Sequence, residues 1–195
     1  MKYLKKFEIN MSDDLFLQAN IQLLVATKND DLERVKELIE FGVDINYKNH
    51  RGETPLNIAA SMSYLDIVKY LIKKNADVNI VDNRGDNALM MPAIENHLDI
   101  VKELIKAKIN IDNINKDGMT VLLYISRFYA SSTFGVIIEL IKAGANWLIS
   151  YEDDDIFLDY LIKDFKDSII KQFPKKYKEY LEYKKIKEQT NKFNL

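Results

Sequence analysis

Gly52, Gly85 and Gly118 stand 33 residues apart, and behind each the same order of residue types returns: "GETPLNIAA", "GDNALMMPA", "GMTVLLYIS". A second pattern runs at the same period, "LERVKELIEFGVDIN" from Leu32, "LDIVKYLIKKNADVN" from Leu65 and "LDIVKELIKAKINID" from Leu98. A fourth copy, "FGVIIELIKAGANWL", starts at Phe134, three residues late. This period constrains the fold more than any single motif does. A unit this short cannot bury an apolar face alone, so neighbouring units must stack and share one elongated core.

The residues of one unit predict its shape. Thr54 is a helix N-cap, because its hydroxyl can accept a bond from an unpaired amide of the first turn. Pro55 then occupies the first helical position, where it loses no intrahelical bond. A first helix over about Pro55 to Met62 follows, with Ala59 and Ala60 allowing close approach. A second helix carries Leu65, Val68, Leu71 and Ile72 on one face. Equivalent stripes are Leu32, Val35, Leu38 and Ile39, then Leu98, Val101, Leu104 and Ile105, then Phe134, Ile137, Leu140 and Ile141. Gly42 and Asn75 suit a left-handed C-cap, and Lys108 in the equivalent place makes a weaker one.

Thr-Pro-Leu, the alanine pair, Leu-Asp-Ile-Val and Ala-Asp-Val-Asn, all within 51–79, resemble the ankyrin repeat family at family spacing. The resemblance implies an all-α solenoid of four to five helix-turn-helix repeats joined by hairpin loops and closed by a C-terminal helical cap. The expected organisation is an N-terminal extension at 1–12 and repeats at 13–49, 50–82, 83–115 and 116–148. A degenerate fifth repeat or cap would occupy 149–173, its apolar rhythm at Ile156, Phe157, Leu158, Leu161 and Ile162. A short helix "FKDSIIKQF" would follow, then a basic amphipathic helix at 174–195. Ser12, Asp13 and Asp14 are good cap residues for a first helix reaching Thr27.

Composition narrows the chemistry. The chain has 195 residues, net charge −2 and no cysteine, so it can form neither disulfide nor thiolate nucleophile. No apolar run reaches the length of a membrane helix, and "MKYLKKFEINMSDD" lacks the core of a secretory signal, so a cytoplasmic protein is expected. Of two histidines, His97 is expected to bond within a turn and His50 to face solvent at a hairpin tip. No phosphate-cradling loop, metalloprotease motif or nucleophile elbow is present. Glu152, Asp153, Asp154 and Asp155 lack calcium-loop spacing and suit helix capping better. No enzymatic activity, cofactor or metal is expected.

Two departures from the pattern stand out. Pro92 replaces the first alanine of the pair, near the fifth helical residue, where it would remove a backbone bond and kink the helix. It either drifts harmlessly or reshapes the groove beside Ile94 and Glu95. In the fourth repeat the insertion "SRFYASSTFG" carries Phe128 and Tyr129 into a loop. These aromatics read equally as binding anchors or as a cover for the following junction.

The resemblance implies a protein partner bound along a concave surface, by a chain monomeric when unbound. Carried over position by position, the variable sites of the family give Lys48, Arg51 and Met62 in the second repeat. They give Arg84, Asp86, Ile94 and Glu95 in the third, and Arg127 and Phe128 in the fourth, where Tyr129 adjoins them. Arg51 and Arg84 fall in equivalent places, and Met62, Ile94 and Phe128 are expected to form an apolar line. A partner with acidic side chains flanking a hydrophobic patch would match. A narrower alternative is a dedicated inhibitor or immunity protein for one enzyme or toxin. Another is a nucleic-acid or membrane adaptor, since eight lysines against three glutamates follow from Lys171. There the interleaved Tyr177, Tyr180, Leu181, Tyr183 and Ile186 favour a helix with one packed face, and nucleic acid and membrane are not the expected partners.

Overall fold

The computed structural model describes residues 13–146, 150–151, 155–156, 165, 167–168 and 170–193. Its helices come in antiparallel pairs: α1 (Asp13–Lys28) with α2 (Leu32–Phe41), α3 (Pro55–Ser61) with α4 (Leu65–Lys73), α5 (Met90–Ile94) with α6 (Leu98–Lys106), and α7 (Val121–Phe128) with α8 (Ala130–Lys142). They stack in two rows, α1, α3, α5, α7 in one and α2, α4, α6, α8 in the other, each helix touching its partner and the next in its row. The core is one continuous apolar layer between the rows.

The sequence fixes local geometry through short-range hydrogen bonds. The Thr54 hydroxyl accepts the Asn57 N–H at 3.2 Å while the Asn57 side chain accepts the Thr54 N–H at 3.0 Å, a reciprocal cap that starts α3 with Pro55 at its first position. At the start of α7 the Thr120 hydroxyl accepts the Leu123 N–H at 3.2 Å, with no return bond from the leucine. Such a cap is worth about 1 kcal/mol. At the far ends of α2, α4 and α6, Gly42 (φ 103°), Asn75 (φ 63°) and Lys108 (φ 62°) all adopt the left-handed conformation. Between the helices of the first three pairs, Asp30 (φ 56°), Ser63 (φ 65°) and Asn96 (φ 61°) do likewise.

Burial goes further than the stripe on one face. Val68, Leu71, Val101 and Leu104 are buried as expected, but so are Ile67 and Ile100 on an adjoining face. An inner unit of a stack has neighbours on both sides, so two faces of its helix lose water. Burying one such side chain stabilises by about 1.5–3 kcal/mol. In α2 the equivalent position holds Arg34, whose side chain is half exposed. Among the described residues no helix precedes α2 in its row, so that face meets water rather than a neighbour.

Two local expectations change. The capping position that holds Thr54 and Thr120 holds Asn87 in the third repeat, and its side chain accepts from Leu89 instead of a third-position amide. Helix α5 therefore begins at Met90, and Pro92 is its third residue rather than its fifth. The first four amides of a helix have no intrahelical acceptor, so this proline removes no bond. In the fourth repeat no left-handed residue joins the pair. The inserted Ala130, Ser131 and Ser132 extend α8 by one turn, which kinks at Thr133 (φ −110°, ψ 15°). The Tyr129 carbonyl accepts the N–H of both Ser132 and Thr133 there, each at 3.0 Å.

Past the fourth repeat, β1 (Ser150–Tyr151) pairs antiparallel with β2 (Asp155–Ile156). Asp155 and Ile156 are thus extended, held by ladder hydrogen bonds where the acidic run was read as a helix cap. Glu152, Asp153 and Asp154 and the rest of the apolar rhythm at Phe157, Leu158, Leu161 and Ile162 lie outside the described residues, as do 1–12. Phe165 stacks on Phe134 of α8, ring centroids 4.1 Å apart. Helix α9 (Pro174–Phe193) sets Tyr180 into the core, with Tyr177 and Tyr183 half-buried beside it. Leu181 and Ile186, expected on the packed face, are exposed, because only the side holding the three tyrosines meets the stack.

Candidate interaction surface

Hairpin loops project from the stack between successive helix pairs, and each is built on one polar side chain. The Asn49 side-chain oxygen accepts the N–H of Arg51 at 2.8 Å and of Glu53 at 3.0 Å. Asp82 does this for Arg84 and Asp86, at 2.8 and 2.9 Å, and Asn115 for Asp117 and Met119, at 3.0 Å each. An acceptor with two lone pairs closes the turn, and Gly52, Gly85 and Gly118 supply its left-handed corner.

Successive hairpins are tied together. The Asn83 N–H donates to the Arg51 carbonyl and the Lys116 N–H to the Arg84 carbonyl, both at 2.9 Å. The Asn83 side-chain amide donates to the His50 carbonyl at 3.0 Å. The tips thus hold a fixed mutual spacing while their outward side chains stay in solvent.

The expected site residues separate into engaged and available groups. Arg51 and Arg84 do occupy equivalent, exposed places, yet each sits against its own hairpin: Arg51 Nε lies 3.3 Å from Glu53, and Arg84 Nε 3.4 Å from Asp86 and 3.6 Å from Asp82. Asp86 is buried and accepts from the Asn115 amide at 2.9 Å, so it organises the hairpins and presents nothing to a partner. Lys48 is exposed and reaches the Val81 carbonyl at 3.3 Å.

On the α1, α3, α5, α7 row, Met62, Glu95 and Phe128 recur every 33 residues at or just past the helix ends. Met62 is 44% exposed and Phe128 54%, but Ile94 is half-buried against the core. The apolar line therefore narrows to Met62 and Phe128 with Glu95 between them. Glu95 lies 3.1 Å from His97 Nε2, so His97 engages a side chain where a backbone bond was expected. Tyr124, Phe128 and Tyr129 form an aromatic cluster, with Tyr124 centroids 5.1 Å from Phe128 and 6.2 Å from Tyr129, and the Arg127 guanidinium 5.6 Å over Phe128. His50 faces solvent as expected.

Sequence reading missed the first repeat. Ile21 and Val25 of α1 are more than two-fifths exposed and, with Leu24, floor a groove of about 330 Å³ against the first hairpin. Tyr47, Lys48, Asn49 and His50 form its other wall and Lys28 its end. The available signal was the four-residue spacing of Leu17, Ile21 and Val25, a second apolar face beside the buried Leu23 and Ala26.

Among the described residues no group of three or more His, Asp or Glu side chains could hold a metal ion, and no helix is long and apolar enough to cross a membrane. The architecture defines a helical-repeat scaffold that offers a ridged surface of loop tips and helix ends. Comparison with family models assigns that scaffold: the one described as ankyrin repeats, three copies, matches residues 1–82, 23–117 and 75–150. The chain belongs to the ankyrin repeat family, whose members generally mediate protein–protein interaction. No curated protein matches the chain.

Proposed function

We propose that this chain is a non-catalytic docking protein that grips a protein partner across the hairpin tips and the exposed ends of the α1, α3, α5, α7 row. The observation that carries this reading is the pair of backbone bonds from Asn83 to Arg51 and from Lys116 to Arg84. They order the tips before any partner arrives, and a surface ordered in advance loses little entropy on binding. Its exposed complement includes Tyr129 and Arg51, of types that often carry most binding energy, with Phe128 and Met62, of types enriched at interface cores. A nucleic-acid or membrane role for the lysine-bearing helix fits less well, since Tyr180 sets α9 into the stack and the chain is net acidic.

The test is a variant with Met62, Arg84 and Phe128 all changed to alanine. Each is exposed, so helicity should be unchanged, while partners recovered from a native lysate by cross-linking should be lost. Truncating such anchors costs about 2 kcal/mol each in typical interfaces. Undiminished recovery by the triple variant counts against this reading.

A further inference from the structure

The groove between α1 and the first hairpin joins an apolar floor to basic groups at its rim. Arg51 faces Glu53, and Arg84 faces Asp82 and Asp86, so these cations are largely compensated within their own loops. Lys28 and Lys48 border the groove and make no ion pair among the described residues, and His50 adds a third basic group. Between them the floor is apolar: Ile21, Leu24 and Val25.

Along α1 the exposed apolar face runs on beyond the groove floor. Leu17, Ile21 and Val25 are all exposed and follow one another at four-residue spacing along α1. They form a ridge about 12 Å long, from the helical rise per residue. Ridges of this spacing most often pack into the grooves between the matching ridges of another helix. A helix laid there would place its flanking residues beside Lys28 at one end and Lys48 and His50 at the side.

We propose that this groove is the primary anchor site of the chain and takes an amphipathic helix of a partner protein, with a Leu- or Ile-sized ridge flanked by Glu or Asp. The inference rests on the reading of the concave face as a protein-binding surface and moves the acidic recognition from Arg51 and Arg84 to Lys28 and Lys48. Apolar contact supplies the hold, and the two uncompensated lysines select against neutral and basic helices.

The experiment uses the full chain and three synthetic helices that share one leucine ridge and carry Glu, Gln or Lys at the flanking positions. Fluorescence anisotropy should show the Glu helix binding about tenfold more tightly than the Gln helix, with the difference shrinking as salt rises from about 50 to 300 mM. Ile21→Ser with Val25→Ser should weaken the Glu helix at least about tenfold, since hydrophobic anchors hold most of the energy. Lys28→Glu with Lys48→Glu should transfer the preference to the Lys helix. All four positions are exposed or at a rim, and an unchanged thermal midpoint checks that the variants fold.

Equal affinity for the three helices, no binding of any, or a Glu preference that survives the lysine changes overturns the proposal. So does sedimentation of a dimer that the Ile21 and Val25 changes dissolve, which assigns the groove to a second copy, or binding to phosphatidylserine vesicles that the same changes abolish. The triple variant at Met62, Arg84 and Phe128 separates the two readings. If it loses the native partner while the helices fail, the groove assignment alone falls.

Discussion

The side-chain oxygen of Asn79 accepts the backbone N–H of Asn110 at 2.7 Å, so a residue of one repeat closes the loop of the next. The same bond recurs along the stack, from Asn46 to the N–H of Asp77 and from Asp112 to that of Asn146, at 2.9 and 2.8 Å. Each couples neighbouring units through one oxygen, which is how cooperativity passes along a solenoid whose repeats touch only their neighbours.

Asn79→Ala should lower unfolding stability by about 1 kcal/mol, the net value of a hydrogen bond with partial solvent access. Asn79→Asp should restore nearly all of it, because Asp112 already performs this role with a carboxylate. Urea denaturation followed by circular dichroism reads both. A carboxylate variant as unstable as the alanine variant would refute the coupling.

Lys108 holds a left-handed conformation that a side chain disfavours, at a position where Gly42 serves the first repeat. Lys108→Gly should raise stability by about 1 kcal/mol, partly offset by losing a cation near the C-terminus of α6. The denaturation midpoint should rise while its slope stays constant.

Gly52 and Gly144 both have positive φ, 78° and 100°, but only one is crowded. A methyl on Gly52 would sit 2.6 Å from the Asn83 side-chain oxygen and 2.9 Å from its backbone nitrogen, whereas Gly144 has nothing within 4 Å. Gly144→Ala should cost about 1 kcal/mol of backbone strain, and Gly52→Ala about 2–3 kcal/mol, since it also pushes apart the hairpins joined through Asn83. Equal losses in thermal denaturation would contradict the tie between hairpins.

Tyr180 is 3% exposed and Leu181 47%. Tyr180→Ser should release α9 and make its lysines sites of rapid tryptic cleavage, while Leu181→Ser should leave the digestion pattern unchanged. Removing a buried aromatic costs about 3–5 kcal/mol when taken to a small residue.

Much of the chain was legible before folding. The 33-residue period, the Thr54 cap with Pro55, and the left-handed ends at Gly42, Asn75 and Lys108 depend on bonds between residues a few places apart, so the local string determines them. The site was legible only as a set of places. Phe128, Tyr129, Met62 and Arg51 are exposed as the family pattern implies, but Asp86 and Ile94 turn inward.

What the sequence by itself determined is the unit and its repetition, because helix caps, turn acceptors and apolar stripes are short-range and return with the same residues. What only the tertiary structure decided is which groups are spent inside the stack. Whether Asp86 meets Asn115, whether Ile67 is covered on a second face, and whether Ile21 and Val25 stay open all depend on what the next repeat brings alongside. Burial arises between units, and groups that meet across them, such as Asp86 and Asn115, stand 29 residues apart with no local signal that pairs them.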